Sequence, residues 1–471
     1  RMTSLPVPRR GAAGLEAPVS TTAAGVAVLL VLAAGLAGAL YRYPPPLIVV
    51  LAAGLALVGV LALALARYEA AVALGVALLA AVKVEPAPPD AVFGVVMAVA
   101  LVTGRFDLRR VPLTVGGLVG VFLALNLISA VEAVDPGRAA LFFTITLYLA
   151  VFSLWFSGYL TGVRRTRQVV VAYVGAAVAS AALASSAILL DYPGDEIFLE
   201  HGDLRAAALF ADPNVFGPFL VPAALILLEE TLQTRLLRWP RLVKVACFLI
   251  LALGVVFSYS RAAWGHLVFA IVVMLAALAL RRRGGGRALK VLAVAVLAAG
   301  VAATAVITSG SVEFLEQRAA IQSYDAERFE AQRFGIEAGE SHPFGIGPGQ
   351  FEIVAPAAAH STYLRALGEQ GMLGFAVISA LFLFTTVLAL RNAVLGRDTY
   401  GIGSAALLGA WSGIMLNSFV VDTLHWRHLW LVAALIWIAS MRPAASPPRG
   451  RAGRGVPQAM RSPAGAGGVG R

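Results

Sequence analysis

The feature that most constrains this chain is the grouping of its apolar residues into blocks of about 15 to 23, with charged residues confined to the gaps between them. A block near 20 residues is long enough to cross ~30 Å of hydrocarbon as a helix. Within hydrocarbon only a helix or a closed barrel satisfies its own backbone hydrogen bonds. Composition points the same way: 59% of the residues are hydrophobic, 13% are charged, and the mean hydropathy is +0.82. Soluble chains average about 45–50% apolar and about 25% charged. The expectation is an all-α polytopic membrane protein, not a water-soluble enzyme. The single cysteine, Cys247, falls inside a predicted span and excludes both a disulfide framework and a thiolate metal site.

Apolar blocks near 20–40, 45–66, 69–83, 91–104, 112–132, 139–160 and 168–190 form a first set of predicted spans. A second set lies near 207–230, 243–258, 262–280, 289–308, 367–390, 401–419 and 428–441. The total is about 14; the third and fourth blocks are only about 15 residues long, and reading them as a re-entrant hairpin gives about 12. Residues 20–308 and 367–441 thus read as membrane segments and 309–366 as one long outer loop. Residues 1–19 read as a cytosolic tail leading into an uncleaved first span. Residues 442–471, rich in Pro, Gly, Ala, Ser and Arg, read as a disordered basic cytosolic tail.

The net charge of +11 is explained by where the basic residues fall. With the N-terminus cytoplasmic, the inner segments hold about 27 basic and about 6 acidic residues, and the outer segments about 10 and about 20, as the positive-inside rule requires. The clusters at Arg105–Arg110, Arg164–Arg167, Arg235–Lys244 and Arg281–Lys290 carry this asymmetry, so they orient the protein in the bilayer and imply no nucleic-acid partner.

The outward-side basic residues run against that rule and are therefore informative: Arg42, Lys83, Arg138, Arg205, Arg261, Arg318, Arg328, Arg333, Arg365 and Arg427. Seven of the ten lie after residue 200 and flank the loop before the eighth span, the 259–261 turn, the 309–366 loop and the last outer turn. The apolar recurrence of the 309–366 loop at Phe314, Leu315, Ile321, Phe329, Phe334 and Ile336 predicts amphipathic helices at the outer surface. The glycines of PFGIGPGQF, with Gln350 near its end, read as a backbone turn. They are not read as a phosphate loop, because no strand precedes them and no GK[ST] follows. His360, Ser361 and Tyr363 stand where the loop re-enters the bilayer, and histidine is the side chain suited to proton transfer near neutral pH. A lone interfacial histidine is more often merely polar surface. Ser361 has no acid partner for a triad and no GxSxG elbow.

His425 and His428, three apart with Asp422 nearby, have ligand-like spacing, but their Trp426 and Trp430 neighbours favour an interfacial belt, and no metal is expected. Arg205 is expected at the outer end of the eighth span, with Asp212 and Asn214 about two turns deeper. The bland alternative is an Arg205–Asp212 ion pair; for Arg261 it is snorkelling. Arginines converging with a histidine on one face suit an anionic lipid headgroup such as a lipid-linked pyrophosphate.

At these residues the sequence resembles the O-antigen ligase and polymerase superfamily. The resemblance rests on R-x-x-(G/A)-x-F-x-x-P-N at Arg205–Asn214 and SRxAW at Ser260–Trp264. It rests further on P-F-G-x-G-x-G-x-F at Pro343–Phe351 and H-(N/S)-x-Y-L-(x)5-Q-G-x-L-G at His360–Gly374. It implies a metal-independent, cofactor-free, inverting glycosyltransferase of the bacterial inner membrane, with both termini cytoplasmic and its site on the periplasmic face. The implied donor is an undecaprenyl pyrophosphate-linked glycan and the implied acceptor a hydroxyl of a glycolipid or glycan. His360 would be the base, Arg205 and Arg261 would hold pyrophosphate with Arg328 or Arg333, and Asp212, Asn214, Ser361, Tyr363 and Gln350 would support them. A ligase acting on lipid A-core is favoured over a polymerase; a transporter of lipid-linked sugars is the alternative from another class.

Overall fold

The computed structural model describes residues 47–190, 192–200, 205–280, 285–319, 324–355 and 358–441. The expected first span at 20–40, Arg42, His201, both tails and the start of the Arg281–Lys290 cluster lie outside these residues. The described residues are mostly helical. Seven helices among them are long and apolar enough to cross a membrane, and four shorter apolar ones accompany these.

Apolar blocks become helices here because each satisfies its own backbone, and breaks fall where proline, glycine or charge intervenes. Helix α1 (Leu47–Ala66) leads into a short pair, α2 (Tyr68–Leu78) and α3 (Pro88–Val102), which pack on one another. At 11 and 15 residues both fall short of the ~20 needed to span. The start of α2 sits with the inner basic cluster, Glu69 pairing with Arg164 and Arg165. The turn of the hairpin forms β1 (Ala81–Val82), which pairs in parallel with β2 (Leu209–Phe210). Beside it Arg427 pairs with Asp90 and with Glu85.

Next come α4 (Leu113–Ser129), α5 (Pro136–Tyr159) and α6 (Val163–Leu189), then α7 (Pro213–Leu232), α8 (Arg241–Phe257), α9 (Arg261–Ala279) and α10 (Gly285–Thr308). Helix α7 is the central post, with 83% of its apolar window buried. Its C-terminal end is locked by Glu230, which accepts the backbone N–H groups of Arg235, Leu236 and Leu237, while Lys244 donates to its carbonyl. Small residues allow close approach between helices: a Cβ on Gly217 would lie 2.6 Å from Ala263, and one on Gly409 2.5 Å from the Ala270 carbonyl.

The 309–366 segment holds α11 (Val312–Ala319) and α12 (Tyr324–Ser341), then a single turn, α13 (Phe351–Val354). The chain continues as α14 (Thr362–Leu395), α15 (Ser404–Asn417) and α16 (Arg427–Ser440). Helix α14 begins before the expected 367 and is broken at Gly371 (φ 69, ψ −174). Helices α9 and α15, α7 and α8, α12 and α14, and α14 and α4 form the main packed pairs.

One expectation is overturned. The segment from Arg205 to Asp212 is not the outer end of a helix: it is extended, carries β2, and α7 starts at Pro213. Proline lacks the N–H an interior helical position requires, so it favours the first turn. Asp212 caps that turn by accepting from the Asn214 N–H at 2.7 Å.

Candidate functional site

The N-termini of α7, α9 and α14 open the site. Each is capped by the residue the local sequence supplies: Asp212 for α7, Ser260 accepting from Ala263 N–H for α9, and Ser361 for α14. Three of the four non-glycine residues with positive φ among the described residues are Ala208 (φ 50), Tyr259 (φ 46) and His360 (φ 40). Each stands immediately before one of these helix starts or on the segment leading to it. Left-handed backbone costs an L-residue on the order of 1–3 kcal/mol, and such strain persists where surrounding structure enforces it.

Arg205 is buried and fully engaged. Its Nη1 lies 2.6 Å from Glu200 Oε2, Nη2 donates to Asn214 Oδ1 at 3.2 Å, and Nε donates to the Ser258 carbonyl at 3.3 Å. Its ion-pair partner is therefore Glu200, five residues upstream, rather than Asp212. The Ala206 N–H donates to the Phe257 carbonyl at 2.9 Å, so the Arg205 strand lies against the turn that begins α9 at the half-buried Arg261.

His360 is half-buried at the end of the 309–366 loop. Burial lowers its pKa below the usual histidine value, the positive charge of Arg328 lowers it further, and the carboxylates of Asp212 and Asp422 act in the opposite direction. One imidazole is thus reached by charges from α12, from the cap of α7 and from the turn before α16. Of the two loop arginines, Arg328 bears on this histidine. Arg333 points to solvent, its side chain 81% exposed and paired with Glu337 at 3.0 Å.

The residues after His360 are stitched to the 418–423 turn. Thr362 N–H donates to the Ser418 carbonyl at 2.9 Å and Ser361 Oγ donates to the same carbonyl at 3.4 Å. Thr362 Oγ1 accepts from the Thr423 N–H at 2.7 Å and donates to Asp422 Oδ1 at 3.3 Å. Ser361 is thus a helix cap and anchor. Tyr363 packs against Phe419 and Phe382, with its hydroxyl on the Met415 sulfur.

The glycine-rich turn after His342 has a packing purpose. The carbonyls of Gly368 and Glu369, just before the break at Gly371, accept the backbone N–H groups of Ile346 and Gly347 at 2.9 and 3.0 Å. A Cβ on Gly345 (φ +82) would lie 2.2 Å from the Glu369 carbonyl oxygen, and one on Gly371 (φ +69) 2.2 Å from that of Pro343. The two glycine motifs are the two halves of one contact. Gln350, fully buried, grips the Asp135 backbone through both ends of its amide at 2.8 and 3.1 Å. It fixes the turn to the start of α5 and does not face His360's charged neighbours.

The spacing of His425 and His428 is taken up by packing. His425 Nε2 lies 3.0 Å from Thr146 Oγ1, and burial pushes its pKa down to about 4; His428 stacks on Trp426. Most outward-side basic residues also have protein partners: Arg138 with Glu352, Arg365 with Glu369 and Asp422, Arg427 with Asp90, and Lys83 with the Ile197 carbonyl. Sequence reasoning missed Glu200 and the neighbourhood of Asp422 and His360. Only the concentration of outward-side charge after residue 200 hinted at them.

Residues 246–379 match the family model for O-antigen ligase. The match spans α9, the outer-loop helices and the His360 segment and supports the superfamily resemblance; Arg205 and Asp422 lie outside it. No curated protein matches the chain.

Proposed function

We propose that this protein transfers a glycan from an undecaprenyl pyrophosphate donor to an acceptor hydroxyl at the outer face of the membrane. The observation that carries the reading is the half-buried His360, held in left-handed backbone at the start of α14, whose neighbour Thr362 is tied to Asp422 and whose imidazole feels the charges of Arg328, Asp212 and Asp422. A second buried arginine, Arg205, stands beside the same helix starts.

In this reading Arg205, Arg261 and Arg328 bind the pyrophosphate, helped by the capped helix N-termini, whose dipoles favour an anion. Pyrophosphate leaves readily once its developing charge is met by guanidinium groups, so fixed arginines serve where other enzymes use a divalent ion. Neutral His360 takes the proton from the acceptor hydroxyl as the oxygen attacks the anomeric carbon. The bond from that carbon to the pyrophosphate oxygen breaks, its electron pair leaves with undecaprenyl pyrophosphate, and the configuration inverts. Asp422 and Asp212 stabilise the imidazolium that forms, as an orienting carboxylate does in a catalytic triad.

The family match supports the ligase and polymerase superfamily; within it we propose a ligase, with a surface glycolipid such as lipid A-core as acceptor. The test is incubation of purified protein with lipid-linked oligosaccharide, with and without lipid A-core and with divalent metal chelated. Product that requires the added acceptor supports the ligase. A ladder of longer lipid-linked glycan from donor alone makes it a polymerase, and no transfer in either arm overturns the proposal.

A further inference from the structure

Arg365 lies one turn beyond His360, and its side chain is only 6% exposed. Three carboxylates share it: Glu352 from the outer-loop turn on Nη2, Glu369 on Nη1 at 3.2 Å, and Asp422 on Nε at 3.0 Å. Arg138, at the start of α5, takes the other oxygen of Glu352 at 3.1 Å and the Gly349 carbonyl at 2.6 Å. Two guanidinium groups therefore face three carboxylates. Asp422 meets Arg365 as an ion pair without a hydrogen bond from Nε, its other oxygen accepts the Leu424 N–H at 3.1 Å, and its charge acts on His360.

We infer that Arg365 is a positioning residue that sets how much negative charge Asp422 presents to His360, and that Glu352, by sharing this arginine, couples docking of the outer loop to the base. This rests on the reading of His360 as the base and deepens it. The physical argument is one of division. A guanidinium has a fixed charge and a fixed fork of donors, so whatever Glu352 and Glu369 take is not available to neutralise Asp422. With the loop docked, Glu352 occupies Nη2 and Asp422 keeps more of its field for the imidazolium. With Glu352 withdrawn, Arg365 turns more fully to Asp422 and proton uptake by His360 is less favoured.

The groups facing His360 are Arg328 on α12, Asp212 at the cap of α7 and Asp422; those facing Asp422 are Arg365, Thr362 and the neutral His425. The test changes Arg365, Glu352 and Asp422 and leaves the other groups in place. Carbethoxylation by diethyl pyrocarbonate consumes neutral imidazole, so the pH dependence of its rate at the His360 peptide, read by mass spectrometry on the full-length protein, reports this ionisation independently of turnover.

Glu352→Gln, which keeps shape and hydrogen bonding, moves the His360 midpoint to lower pH. Arg365→Met moves it to higher pH, while Arg365→Lys, which restores the charge, returns it toward the parent value. Arg365→Met combined with Asp422→Asn gives the midpoint of Asp422→Asn alone. Where Arg365→Met fails to fold, Glu352→Gln decides. An unmoved midpoint in Glu352→Gln, with activity lowered equally at all pH values, overturns the inference and makes Arg365 a purely structural tie. Retained turnover in His360→Ala overturns the function reading instead, so the two failures are distinguishable.

Discussion

The guanidinium of Arg205 is held by Glu200, Nη1 to Oε2 at 2.6 Å, with the arginine 6% and the glutamate 33% exposed. The buried partner is the cation and the accessible one is the acid, an arrangement suited to an anion that enters from the open side and displaces a carboxylate. Glu200→Gln is therefore expected to lower the donor KM about fivefold, equivalent to ~1 kcal/mol, while Arg205→Ala raises it at least about tenfold. Steady-state kinetics with lipid-linked oligosaccharide check both. Weaker donor binding in Glu200→Gln would mean that the pair only holds the strand in place.

Activity is expected to keep its base down to a pH below the ordinary histidine value of 6.5, because burial and Arg328 both disfavour the charged imidazole. The sign is fixed: once pH falls through the lowered pKa, His360 is protonated and cannot accept the hydroxyl proton, so the acid limb of kcat/KM drops there. Arg328→Ala removes a repelling cation and moves that limb to higher pH.

Arg333→Ala provides the contrast. This side chain is 81% exposed and paired only with Glu337 in the surface geometry given above, where such a pair contributes roughly 0.2–1 kcal/mol. Donor KM and the acid limb are expected to stay at parent values. A rise in donor KM as large as that of Arg328→Ala would move the phosphate contact to the exposed face of α12.

The docking of the two glycine motifs gives a stability prediction. Gly396→Ala meets no atom within 4 Å and carries only the cost of its left-handed backbone (φ +64), roughly 1–2 kcal/mol. Gly371→Ala adds a collision with the Pro343 carbonyl and is expected to lower Tm further, to speed proteolysis within 309–341 and to reduce activity. Thermal unfolding and limited proteolysis in detergent separate the two variants.

Much of this architecture is legible in the sequence because apolar length and its interruptions are local properties. The blocks at 112–132, 139–160 and 168–190 emerge as α4, α5 and α6, and the two short blocks emerge as a packed hairpin. Arg205 to Asp212 misleads because its alanines and leucines look helical, whereas Pro213 and the pairing of β2 with β1, some 130 residues away, keep it extended. The contacts of Asp422 with Thr362 and with Arg365 join residues 60 or so apart, for which spacing within one helix gives no signal. The PFGIGPGQF turn is recognisable as a turn, but that its glycines answer Gly371 becomes visible only when the two are in contact.

The most direct test of the account is transfer from a lipid-linked oligosaccharide in chelated buffer by the parent protein and by His360→Ala, each reconstituted in vesicles and matched for folded protein by thermal unfolding. The account predicts transfer by the parent, and loss of nearly all turnover with donor binding retained in the variant. Turnover in His360→Ala near that of the parent contradicts it.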